Sequence, residues 1–141
     1  MDMEPWETAA REEIRELVAR YTHWGDGGRI DDLVTLFEPD AVFEADDSPE
    51  PLHGRAAIAG LLGGLATDHG GEAGQTYMRH HVTNLTIQFE SRTVATGAAY
   101  WFVVSDNGLW RWGRYRDTYH REGTGPWLFA RRRVRADRQN T

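Results

Sequence analysis

The sequence predicts an α+β domain in which helices cover one face of a curved sheet. In the first 65 residues apolar side chains recur at steps of three and four among charged ones, the period of helices buried on one side. From residue 78 the period changes to two, the alternation of strands. The runs of that second half are separated by short turn signals, "ESR", "SDNG" and "REGTGP", which fit consecutive antiparallel strands in a meander. Helices first and strands afterwards give helices segregated to one face of the sheet, and a strongly bent sheet closed by helices leaves a pocket.

The first helix is marked by Ile14, Leu17, Val18, Tyr21 and Trp24, with Thr8 as its expected N-cap and Gly25, Gly27 and Gly28 as its stop. A second, short helix is expected over Asp31 to Phe37, burying Leu33, Leu36 and Phe37. "EPDAVFEADD" reads as a turn at Pro39-Asp40 and a short strand through Val42 and Phe43. Ile58, Leu61, Leu62 and Leu65 mark a third helix, and "DHGGEAG" after it reads as a mobile loop. Four strands follow, over Met78 to Glu90, Thr93 to Ser105, Leu109 to His120 and Trp127 to Arg135.

Bulk composition narrows the function. A length of 141 residues suits one domain, 1–141, with an ordered core of about 7–135. A formal charge of −6 opposes nucleic-acid binding, and the dense basic cluster is confined to Arg131, Arg132, Arg133 and Arg135. The chain has no lysine, which removes Schiff-base catalysis, and no cysteine, which removes thiolate nucleophiles and cysteine-bound metals. His23, His53, His69 and His120 show no metal-ligand spacing, and the Gly-rich "LLGGLATDHGGEAG" lacks the lysine of a phosphate loop. No metal and no cofactor are expected. The acidic start and the lack of a long apolar run read as a cytoplasmic protein without membrane attachment.

Candidate chemistry lies in polar residues that these elements would turn inward. On a regular strand His80, Val82, Asn84 and Thr86 share one face, and His81, Thr83, Leu85, Ile87 and Phe89 share the other. The second set resembles bulk core, so parity places His80 on the cavity wall, although a bulge between them would reverse the assignment. The common role of a strand histidine is a surface or structural one. Asp26, between glycines just past a helix, is commonly a turn former. It also sits at the carbonyl end of a helix, whose partial negative charge makes it an unusual place for a carboxylate. There it could accept a proton or hold an imidazole in one tautomer. Tyr21 is either part of the helix stripe or a phenolic donor. In the last strand Trp127, Phe129, Arg131 and Arg133 share one face while Leu128, Ala130, Arg132 and Val134 share the other. Such an arginine run is usually a solvated edge, but one guanidinium turned inward could bind a carboxylate, a leaving group or an enolate oxygen. Six tryptophans, Trp101, Trp110 and Trp112 among them, fit an aromatic-lined pocket as well as an ordinary core.

Three stretches in order, "EEIRELVARYTHWGDGGRIDDLVTLFEPDAVFEAD", "RHHVTN" and "GRYRDTYHREGTGPWLFARRRV", resemble the SnoaL-like branch of the nuclear transport factor 2-like superfamily over nearly the whole chain. The resemblance implies a cone in which three helices cap a curved mixed sheet, and a homodimer or homotrimer. Within that superfamily the chain looks most like the scytalone dehydratase, bile-acid dehydratase and hexachlorocyclohexane dehydrochlorinase group, whose Asp–His pair takes a proton from carbon. The resemblance carries the pair to Asp26 and His80, the phenol to Tyr21 and the inward arginine to Arg132. The second catalytic histidine of scytalone dehydratase has no counterpart, since Val104 and Ser105 fall near its place. Trp24, His81, Asn84, Trp101 and Tyr115 are the expected substrate contacts.

The expectation is a cofactor-independent lyase or isomerase acting on a hydrophobic small molecule of polyketide, steroid or terpenoid type. The same fold also serves polyketide cyclases and non-catalytic subunits such as those of ring-hydroxylating dioxygenases, the alternative reading.

Overall fold

A computed structural model describes residues 2–70 and 77–140, the side chains of 66–70 excepted. Helix α1 runs Pro5–Asp26, α2 runs Ile30–Leu33 and continues as a 3-10 turn Val34–Leu36, and α3 runs Arg55–Gly70. The strands are β1 Phe37–Ala45, β2 Leu52–His53, β3 Met78–Phe89, β4 Val94–Ser105, β5 Gly108–His120 and β6 Leu128–Gln139. They form one sheet in the order β2-β1-β6-β5-β4-β3. Strands β3 to β6 make the antiparallel meander, but β1 lies parallel to β6, so the sheet is mixed.

Several expected boundaries differ. α1 starts at Pro5 with Glu4 as N-cap, because proline at the first turn needs no N–H partner; Thr8 lies inside the helix, its hydroxyl 3.4 Å from the Glu4 carbonyl. The second helix ends before Phe37, whose backbone is already extended and whose ring, fully buried, opens β1. The two-residue β2, too short to show a period, pairs with Val42 and Phe43. Residues 68–70 of the expected loop belong to α3, and 71–74 of it lie outside the described residues.

The inner face of the sheet holds Trp101, Val103, Tyr115, Tyr119 and Phe129, and α1 lays Ala10, Ile14, Leu17, Val18 and Tyr21 against the same core. Each large apolar side chain buried there contributes about 1.5–3 kcal/mol relative to exposure. Two of the bulges among the described residues bear on which side chains of β3 and β6 face inward. One extra residue sits in β3 between Thr83 and Thr86, where Asn84 takes φ +57°. Asparagine tolerates that left-handed backbone, and beyond it Leu85, Ile87 and Phe89 turn into the core while His80 and Val82 face inward before it. The other falls in β6, where Ala130 is passed over between the pairs Thr118–Arg131 and Tyr119–Phe129. Phe129 and Arg132 therefore both point inward, against the simple alternation expected.

Candidate active site

The end of α1 presents Asp26. Gly28 takes φ +72°, the Arg29 N–H donates to the Trp24 carbonyl at 2.8 Å, and the Gly28 N–H donates to the Gly25 carbonyl at 3.1 Å. This is the Schellman closure, and it leaves Asp26 as the last helical residue. Its side chain is 9% exposed. One carboxylate oxygen, Oδ2, accepts the backbone N–H of His80 at 2.8 Å, and the other, Oδ1, lies 2.6 Å from Nδ1 of the same residue. β3 is an edge strand, so the carboxylate also occupies an edge N–H that would otherwise face solvent.

This double contact fixes the ring. A carboxylate only accepts hydrogen bonds, so the contact places a proton on Nδ1, and in the neutral ring Nε2 is the nitrogen that keeps its lone pair. Such a charge-assisted bond is about twice as strong as a neutral one and orients the ring as well as polarising it. The pair borders a cavity of about 390 Å³ lined by residues from α1, α2, α3 and the sheet, including Tyr21, Thr22, Leu33, Phe43, Leu62, Met78, Trp101, Trp110, Arg111 and Tyr115. That volume is in the lower part of the range for small-molecule sites, ~300–1,000 Å³, and suits a compact apolar guest. A wider hollow of about 780 Å³ on the other side of the sheet, bordered by Arg116, Arg131 and Arg133, includes neither member of the pair.

Beneath the cavity floor lies a buried ionic layer. Arg132 is fully buried and donates to Asp117 through Nε at 2.9 Å and Nη2 at 3.3 Å, while the Tyr119 hydroxyl donates to Asp117 at 2.8 Å. The guanidinium carbon lies 3.6 Å from the Tyr115 ring centroid and 4.2 Å from that of Tyr21. Burial pushes the Tyr21 and Tyr115 phenols above their usual acidity range, against the pull of Arg132. They therefore stay protonated and able to donate. Burial alone would lower the guanidinium, but Asp117 and the surrounding phenols raise it, so it stays charged.

The expected site residues thus separate. Asp26, His80, Tyr21, Trp101 and Tyr115 border one cavity. Arg132 does not line it: the cation is spent on Asp117 and reaches the cavity only through the rings stacked on it. Trp24 does not line the cavity: it is partly buried at the margin of the core, with the guanidinium groups of Arg20 and Arg29 over its ring. His81 is exposed and stacked on Phe102 at 4.8 Å, since alternation sends it to the opposite face from His80. Asn84 is exposed and serves as the bulge residue. Thr22, Arg111 and Asp117 were not expected. Asp117 and Arg111 could both have been found, as they share parity with Tyr115 and Tyr119 along β5; the bulge at Trp110 falls beyond Arg111. Among the described residues no group of three or more His, Asp or Glu side chains is gathered around a common point for a metal.

Architecture and site together define a cone-shaped α+β protein with a cavity between helices and sheet. The family model of the SnoaL-like domain matches residues 6–133, and the chain belongs to that family. A scytalone dehydratase-like protein from Novosphingobium aromaticivorans superposes with TM-score 0.81 at 22% identity, covering 98% of this chain and 91% of that one. An NTF2-like protein with a cystatin-like fold from the same organism gives TM-score 0.78 at 28% identity, over 95% of this chain and 86% of that one. A protein from Catenulispora acidiphila in complex with S-DNPA gives TM-score 0.73 at 26% identity, over 92% and 95%. No curated protein sequence matches significantly. No helix among the described residues is long and apolar enough to cross a membrane.

Proposed function

We propose that the chain is a cofactor-independent lyase or isomerase that removes a proton from carbon in a compact hydrophobic molecule. The reading rests on one observation above all, the Asp26 carboxylate held 2.6 Å from Nδ1 of His80 at the wall of an apolar cavity. The Nε2 lone pair of His80 takes a proton from a carbon beside a carbonyl, and the electron pair moves onto the carbonyl oxygen. Asp26 stabilises the imidazolium so formed, and Tyr21, kept protonated by burial, donates to the developing oxyanion. Return of the proton to a hydroxyl on the β-carbon expels water and leaves a double bond; return to another carbon moves the double bond instead. Arg132 acts here as a positioning residue beneath Tyr21 and Tyr115.

A pure binding or assembly role is less well supported, because Trp101 and Trp110 line the cavity without filling it. The family and the ligand complex of a related structure are in keeping with a small-molecule site. The test is to present hydroxy-ketones and sterol-like ketones to the native protein, His80→Ala and Asp26→Asn. General-base catalysis is worth ~10²–10⁴-fold, so His80→Ala should lose turnover by that order and Asp26→Asn should lose part of it. Conversion that is unchanged in both variants would remove the mechanism.

A further inference from the structure

The cavity holds a positive charge that the Asp26–His80 chemistry leaves unused. Arg111 stands opposite Val103 in the regular register of β4 and β5, and Val103 is in turn opposite His80 across β4, so the three residues form one row on the inner face. Strands lie ~4.8 Å apart, which places the backbones of His80 and Arg111 about 10 Å from each other across the cavity wall. Two other charges near the cavity are answered, Arg132 by Asp117 and Asp26 by His80. Arg111 makes no ion pair among the described residues, and its Nε is buried without a hydrogen-bond partner. Trp101, 4% exposed, likewise carries a buried Nε1–H with no acceptor. The two donors are neighbours: the guanidinium carbon lies 5.7 Å from the Trp101 ring centroid and 5.3 Å from that of Trp110. Arg79 and Asp47 also border the cavity; Arg79 donates to the Met78 carbonyl and stacks on Tyr77.

Buried donors without acceptors are rare in folded proteins and are costly unless a guest supplies the acceptor. A guanidinium presents a planar fork that matches a carboxylate, and a flat indole beside it favours an aromatic or alicyclic body. We propose that Arg111 and Trp101 form an anion subsite, so that the molecule bound in this cavity is a hydrophobic acid whose carboxylate sits at Arg111 while its reacting carbon lies at His80. This deepens the lyase or isomerase reading and rests on it for the role of His80 alone; the subsite itself stands on Arg111 and Trp101. It divides the guest into a charged anchor and a neutral reacting end.

The test uses naphthalene-2-carboxylate and naphthalene-2-carboxamide, which share a shape and differ in charge, with binding followed by calorimetry and by quenching of tryptophan fluorescence. The acid should bind the native protein at least about tenfold more tightly than the amide, one charge-assisted hydrogen bond's worth of preference. Arg111→Gln should bring acid and amide to equal affinity while the amide binds as before, Arg111→Lys should keep most of the preference, and Trp101→Phe should weaken the acid selectively. Equal affinity of acid and amide for the native protein overturns the subsite, as does a preference that survives in Arg111→Gln. His80→Gln should retain the acid preference. A retained preference without His80-dependent turnover removes the base and leaves the subsite, and the converse removes the subsite and leaves the base.

Discussion

Arg132 and Asp117 form an ion pair inside the fold, joined at 2.9 and 3.3 Å with both side chains fully buried. Removing one partner strands the other charge in a medium that solvates it poorly, a loss of about 3–5 kcal/mol, whereas replacing both with apolar groups is often neutral. Arg132→Met should therefore lower the unfolding free energy obtained from denaturant titration by that amount, and the Arg132→Met/Asp117→Leu double variant should recover most of it. A single variant within about 1 kcal/mol of the native protein would show that the pair carries little of the fold's stability.

Alkaline stability follows from the phenols around that pair. Tyr21, Tyr115 and Tyr119 are all raised above the ordinary 10.0, chiefly by burial, and Asp117 adds to the shift at Tyr119. Above about pH 10 the unfolded chain releases these protons while the folded chain keeps them, so the unfolded state binds fewer and stability falls as pH rises. At ~1.4 kcal/mol per phenol and pH unit, the slope approaches about 4 kcal/mol per unit. The chain has neither lysine nor cysteine to blur this window. Urea titrations between pH 9 and pH 12 should show the decline, reduced by roughly a third in Tyr21→Phe. A flat profile would mean that the phenols are solvated.

The bulge at Asn84 interrupts the strand that carries His80. Its φ of +57° is open to glycine and costly for a β-branched residue, by ~1–2 kcal/mol. Asn84→Gly should have an unfolding free energy within a few tenths of a kcal/mol of the native protein's, and Asn84→Val should lose about 1–2 kcal/mol. Equal losses in the two would point to a side-chain contact instead of backbone conformation.

How much of this was legible in the sequence depends on whether a residue's role is local. The stripe Ile14, Leu17, Val18 and Tyr21 repeats with the helix, and the later alternation repeats with the strand, so helices, meander and cavity could be read directly. The glycines after Asp26 announced the helix stop that aims its carboxylate. The parallel seating of β1 on β6 leaves no local trace, because register between distant strands is set by packing. Alternation put His80 inward, but it set Asn84 and Thr86 beside it on the cavity face and Phe129 opposite Arg132, since one inserted residue inverts every later side chain. Arg132 illustrates a different gap: its inward direction was expected, yet its partner Asp117, on the neighbouring strand, is what diverts the charge from the cavity. Trp24 completes the same helical stripe as Tyr21 and still packs on the core, but beside the cavity and not on its wall.

The pairing of Asp26 with His80 is tested most directly by long-range ¹H–¹⁵N spectra of the histidine rings, with His80 assigned through its substitution. The neutral His80 ring should carry its proton on Nδ1, with Nε2 showing the shift of a bare nitrogen, and Asp26→Asn should abolish that fixed tautomer. A native ring protonated on Nε2, or exchanging freely between the two forms, would contradict the assignment of His80 as the base that Asp26 orients.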